Sequence, residues 1–329
     1  MAQGVGIPSK KAGLGFGNLP KFSGVRMNFK DKDVERINGI NVTSWMVKDD
    51  ERLTGRLNGI AVGVPLAIGT EDIHGIGIGI VGVGARRNLY GINMGGLGVG
   101  SGGNVKGINV GGLGVGSGKD ILGVNVGGLG VGSGGNVKGI NVGGLGVGAG
   151  GRLSGLNVGG LGVGSGGSVS GISIGGLGVG SGADLSGISI GGLGVGSGGK
   201  VTGIGIAGLG LGSGVSVNGL MVAGIGVGAP TVRGIVVAPA TGGNIVNGLM
   251  IVPAYFRIGD KHQSEDSNPA VMRGVSISAY NHIMGTHNGL SIGVFNYAYS
   301  QRGLQLGVLN YVKDNPKGLR VLPIFNTSF

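Results

Sequence analysis

Side chains able to do chemistry are few in this 329-residue chain. There is no cysteine, which removes disulfides, thiolate metal sites and thiol nucleophiles. Four histidines and 14 acidic residues remain. Between Ile73 and Gly259 the only acids are Asp120 and Asp184. An enzyme that cuts polysaccharides needs paired carboxylates, or an acid beside a base, on one open face. Asp120 and Asp184 lie four sequence repeats apart, about 19 Å if the repeats stack as β-coils. They read as polar turn residues. Asp260, His262, Glu265 and Asp266 share one insertion, and clustered carboxylates suit a hard cation such as Ca²⁺. Their spacing matches no calcium loop, so a solvated insertion is the plainer reading and no metal is assigned. His282 and His287 flank a short segment and are expected at the surface.

Glycine-rich strings invite a cofactor reading that fails. GxGxxG-like runs occur around Gly130–Gly135, but a phosphate cradle needs a helix whose N-terminus follows the loop. No helical pattern follows, and GxxxxGK[ST] is absent. No catalytic residue and no cofactor are expected, so the chain reads as a non-enzyme. Lys106, Lys138, Lys200 and Arg152 recur near the turns, and the net charge is +11. That field favours an anionic glycan or lipopolysaccharide. Aromatic residues for base stacking are missing from these repeats, so specific nucleic-acid binding is not expected.

The elements that carry these residues are written in a repeat. GINVGGLGVG stands at 107–116 and again at 139–148. There are 85 glycines, with no three-residue period and only 9 prolines, which excludes collagen. A 40% hydrophobic content excludes a flexible linker. Units open at Gly39 and Gly59 and then every 16 residues to Gly219. Shorter and longer spacings continue to Gly318, giving 18 units in all.

Apolar residues sit one, three, six and eight places after each opening glycine, as in Ile108, Val110, Leu113 and Val115. Another, such as Val105, sits two places before it. Steps of two are strand alternation, and steps of three break it. Taking every apolar position as inward gives three short strands, with corners at Gly107 and at Gly111–Gly112. The fold expected is all-β, a parallel β-solenoid of about 18 coils, on the order of 85 Å long. Asn93, Asn109, Asn125, Asn141 and Asn157 recur two places after the glycine and form an amide ladder, which Ser173 and Ser189 continue. The outward residues of GLGVG are glycines, a flat strip for lateral homo-oligomer packing. The competing fold is an 18-stranded up-and-down outer-membrane β-barrel, the one reading that makes a membrane the partner. An aromatic content of 4% with one Trp argues against it.

Residues 1–37 read as an N-terminal cap, and 38–329 as one repeat domain. Its regular coils span 59–233 and its divergent coils 234–329. One insertion lies near 48–58 and another at 257–273. GLSIGVFNYA (289–298) and GLQLGVLNYV (303–312), followed by KDNPKGLRVLPIF, resemble bacterial glycine-rich surface-repeat proteins built from GLQ-I-G-L-x-N units. That resemblance implies an exported protein at the cell surface, in the outer membrane or outside the cell. It supplies no catalytic residues. No run of 18 apolar residues free of dense glycine is present, and MAQGVGIPSK has no apolar signal core. The function expected is a non-enzymatic structural or surface-interaction rod. A membrane pore and a glycan-binding or glycan-active β-helix are the alternatives.

Overall fold

Each repeat forms a long strand and a short one. In the unit opened by Gly107 these are Val105–Gly111 and Gly114–Ser117. A computed structural model describes residues 4–45, 53–259 and 270–328. It divides into two compact units, Met1–Gly167 and Ser168–Phe329. Both are stacks of parallel coils of about 16 residues, a β-solenoid. Val105 pairs with Ile121, and Gly107 with Gly123, so every letter meets its own copy one repeat on. An up-and-down barrel requires antiparallel neighbours, and the parallel register sets that alternative aside.

The strand runs straight through Gly107. Val105, Asn109 and Gly111 face inward, whereas Lys106, Ile108 and Val110 face outward. Gly107 has φ 116°, and a Cβ there would lie 2.0 Å from the carbonyl oxygen of Gly91 in the preceding coil. Backbone conformation and coil contact both demand glycine at this point. The one corner between the two strands is Gly112–Leu113, where the Leu113 amide donates to the Leu97 carbonyl at 2.6 Å.

This corrects the expected inward rows. Val105 and Val115 do form the core, but Ile108, Val110 and Leu113 point to solvent and Asn109 is buried. The reason is width. At Gly111 an added Cβ would lie 2.0 Å from the Gly114 carbonyl oxygen, so the two sheets nearly touch there. The interior admits one valine from each sheet, one amide and a glycine. Each buried valine contributes about 1.5–3 kcal/mol, and the larger residues are left outside.

The register also begins earlier than Gly39. β1 (Gly4–Ser9) and β2 (Ala12–Gly17) form an antiparallel hairpin. β3 (Lys21–Asn28) runs parallel to β2, and β4 (Arg36–Thr43) parallel to β3, with Gly13 opposite Gly24 and Gly24 opposite Gly39. Among the described residues of 1–37, therefore, only β1 departs from the parallel order. Behind it lies a buried polar plug. Arg26 pairs with Asp31 and donates from Nε to Asn41 Oδ1 at 2.8 Å. Thr43 Oγ1 donates to Asp31 Oδ2 at 2.6 Å and Asn28 Nδ2 to Asp31 Oδ1 at 2.6 Å. Burial pushes the Arg26 guanidinium down to about 10.

At the other end Gly318 opens no coil. It lies in a 3-10 turn, Lys317–Leu319, and the last strand, Val321–Asn326, folds back antiparallel on residues 305–311. Both insertions are shorter than expected. Residues 56–58 belong to the strand Arg56–Gly63. Residues 257–258 and 271–273 belong to the strands Tyr255–Ile258 and Val271–Ile277.

Candidate interaction surface

Inside the coils the asparagines are joined head to tail. Asn93 Nδ2 donates to Asn109 Oδ1 at 2.9 Å, Asn109 to Asn125 at 2.8 Å, Asn125 to Asn141 at 2.8 Å and Asn141 to Asn157 at 2.9 Å. All five are fully buried. Each inner amide therefore donates and accepts along the stack, satisfying a polar group that would otherwise be expensive to bury. The chain of amides begins at Asn93 because Gly77 occupies the row before it. Ser173 and Ser189 are buried in the same row, but their hydroxyls make no hydrogen bond among the described residues.

A second ladder at the loose turn went unread in the sequence. Asn88 Oδ1 accepts from the Asn104 amide at 3.2 Å, Asn104 Oδ1 from the Asp120 amide at 3.3 Å, and Asp120 Oδ1 from the Asn136 amide at 2.8 Å. Asp184 Oδ1 likewise accepts from the Lys200 amide at 2.8 Å. The signal was available, since Asn or Asp recurs three places before the opening glycine. The two mid-chain acids are thereby committed to turn backbone.

Among the described residues, no group of three or more histidine or acidic side chains gathers to hold a metal ion. Asp260, His262, Glu265 and Asp266 lie outside the described residues. His287 is buried, against the surface position expected. It sits inside the long strand Tyr280–Val312, with Nδ1 3.0 Å from Gln301 Oε1 and 3.1 Å from Ser291 Oγ. Burial holds its pKa below the ordinary value, more than its hydrogen bonds raise it. His282 Nδ1 lies 3.2 Å from the Tyr255 hydroxyl, within a row of tyrosine rings. His74 packs 4.9 Å from the Tyr90 ring and is also held low, by partial burial first and by Arg56 second. Lys106 sits 5.2 Å above that same ring. Lys106 and Lys138 occupy the same outward register position two coils apart, with Leu122 between them. Arg152 and Lys200 lie at the turn, where each backbone amide donates to an Asn or Asp of the coil before.

Beside that Lys106 position, the long strands of the described coils present apolar side chains outward. Ile108 and Val110 stand side by side on the long strand, and Leu113 stands at the corner, 49% exposed. The short strand shows only glycines beyond that corner. A Cβ added at Gly116 or Gly132 would meet nothing within 4 Å, and neither residue has a left-handed φ. The chain's own packing does not demand glycine there. In unit Met1–Gly167 the register joins the Ile108 row from Leu14 to Leu156 through ten coils, and the Val110 row from Phe16 to Val158. All the residues in these two rows are apolar and at least partly exposed. In unit Ser168–Phe329 the equivalent rows run from Ile172 to Leu290 and from Ile174 to Ile292.

No protein-family model, curated protein or solved structure matches the chain.

Proposed function

We propose that the chain is a non-enzymatic structural protein, exported to the cell surface, that works by lateral association along its coils. The observation that carries this reading is the repetition of one outward chemistry. Coil after coil offers the same Ile, Val, Leu and Gly positions in parallel register. An array of identical sites suits an extended, repetitive partner better than a single small molecule. The flat glycine strip lies round the Leu113 corner on the second sheet, and its glycines, which have no internal cause, leave room for close approach by another backbone. The resemblance of residues 274–329 to exported surface-repeat proteins supports the location. Fractionation of the producing cells, followed by proteinase K treatment of intact cells, tests it. The chain should be digested without lysis, and protection until lysis would sink the export reading.

A second reading is binding of an anionic glycan or lipopolysaccharide. It is favoured by the basic excess and by the matched outward positions of Lys106 and Lys138, about 10 Å apart along the stack. Retention on immobilised lipopolysaccharide should then fall steeply as salt approaches about 0.5 M. No retention at low salt would remove this reading.

A further inference from the structure

The outward apolar rows have a size, a period and a side-chain type that select one occupant. Consider unit Met1–Gly167 alone. The two main rows run through ten coils at about 4.8 Å, and the corner row of Leu113 through the seven from Pro65 to Leu161, so a strip about 17 Å wide where all three rows are present makes a face of about 600–700 Å². The largest apolar patch on an ordinary monomer is about 300–600 Å². One partner's share of a stable protein interface is about 800 Å². The face carries no charge in its two main rows, and among the described residues nothing in the chain covers them.

We infer that this face pairs with the same face of a second copy of the chain. The inference rests on reading the protein as structural, and it adds the partner and the surface. Three features point to a second copy. The rungs repeat at the coil spacing, and another stack of the same coils matches that period rung for rung, as in dry interfaces between stacked sheets. The central rows are mostly β-branched, as at Ile108, Val110, Ile140 and Val142, so few rotamers are lost when they are packed. The surface is a straight sheet of parallel strands, and two such faces can be self-complementary across a two-fold axis. The strip of outward glycines lies beyond the Leu113 corner, on the second sheet, and is not part of this face.

Sedimentation velocity of the full chain, up to about 100 µM, tests the pairing. The expected particle is twice 32.1 kDa. Dimerisation should strengthen with salt, because each copy carries +11 and screening removes repulsion. The double variant Val110→Lys and Val142→Lys places charges on the face without touching the core. It should weaken the dimer about 100-fold or more while keeping the wild-type circular dichroism and melting temperature. The variant Val110→Ile and Val142→Ile should remain dimeric, showing that shape and not mere substitution is read. A wild-type chain that is monomeric at every concentration overturns the pairing, as does a lysine variant that dimerises unchanged. Salt-insensitive binding of a monomer to phosphatidylcholine vesicles, lost in the lysine variant, would assign the face to lipid instead and would also overturn it. A monomer that is still digested on intact cells would overturn the pairing alone, leaving the structural reading in place.

Discussion

Replacing Asn125 by alanine should cost more than replacing either end of its ladder. Asn125 accepts from Asn109 at 2.8 Å and donates to Asn141 at 2.8 Å. Its loss strands one buried donor and one buried acceptor. Each stranded group costs about 1–3 kcal/mol, so the expected destabilisation is about 2–6 kcal/mol. Alanine fits the backbone, because Ala61 occupies this row in the coil opened by Gly59. Asn157→Ala strands only the Asn141 donor, and Asn93→Ala only the Asn109 acceptor, so each should cost about half as much. The assay is guanidinium unfolding followed by far-ultraviolet circular dichroism, with hydrogen exchange of the coil amides to locate the loss. Equal costs at the interior and end positions would refute the argument, since they would show that the amides act as separate polar residues. So would a cost under about 0.5 kcal/mol for Asn125→Ala.

Two further outcomes concern the glycine columns and the histidines. Gly107→Ala should disrupt its coil, because the new Cβ meets the Gly91 carbonyl at 2.0 Å, whereas Gly116→Ala should be neutral or stabilising by about 0.5–1 kcal/mol. Paired thermal melts decide between them, and equal effects would count against the distinction. Stability should fall on acidification through the histidine range. His287 and His74 are both held below 6.5, so the unfolded chain takes up protons first as pH drops. Stability is then full above 6.5 and is lost from 6.5 down towards the depressed values. Urea midpoints at about pH 7.5 and 5 measure this, His287→Gln should flatten the loss, and identical wild-type midpoints would contradict it.

The sequence revealed the coil and concealed which way it faces. Identical letters at 107–116 and 139–148 imply identical surroundings, and a parallel stack supplies them. Side-chain direction is hidden because Ile108, Val110 and Leu113 are apolar yet point outward. Exposed apolar residues are common in proteins, and the informative residue was the buried polar Asn109. Uninterrupted alternation from Val105 puts Asn109 and Gly111 on its face, with no corner needed at Gly107. A one-residue slip in parity moved the whole set to the wrong side. Residues 21–28 carry the same pattern, Phe22, Gly24, Val25 and Met27, hidden by an irregular interval from Gly13. The Arg26–Asp31 plug was not legible, because it depends on a chain reversal that no local spacing announces.

The parallel register has a consequence for assembly of the fold itself. Within the coils opened by Gly91 to Gly155, a strand displaced by one full repeat finds the same glycine column, the same amide and a similar aliphatic core. Such frame-shifted pairings are nearly isoenergetic within the regular coils. Discrimination must come from the segments that have no duplicate, the β1–β2 hairpin with its Arg26–Asp31 plug and the antiparallel strand 321–326. Those segments set the phase, and one of the five asparagine coils can be copied or deleted as a whole repeat with the glycine column and the amide ladder kept.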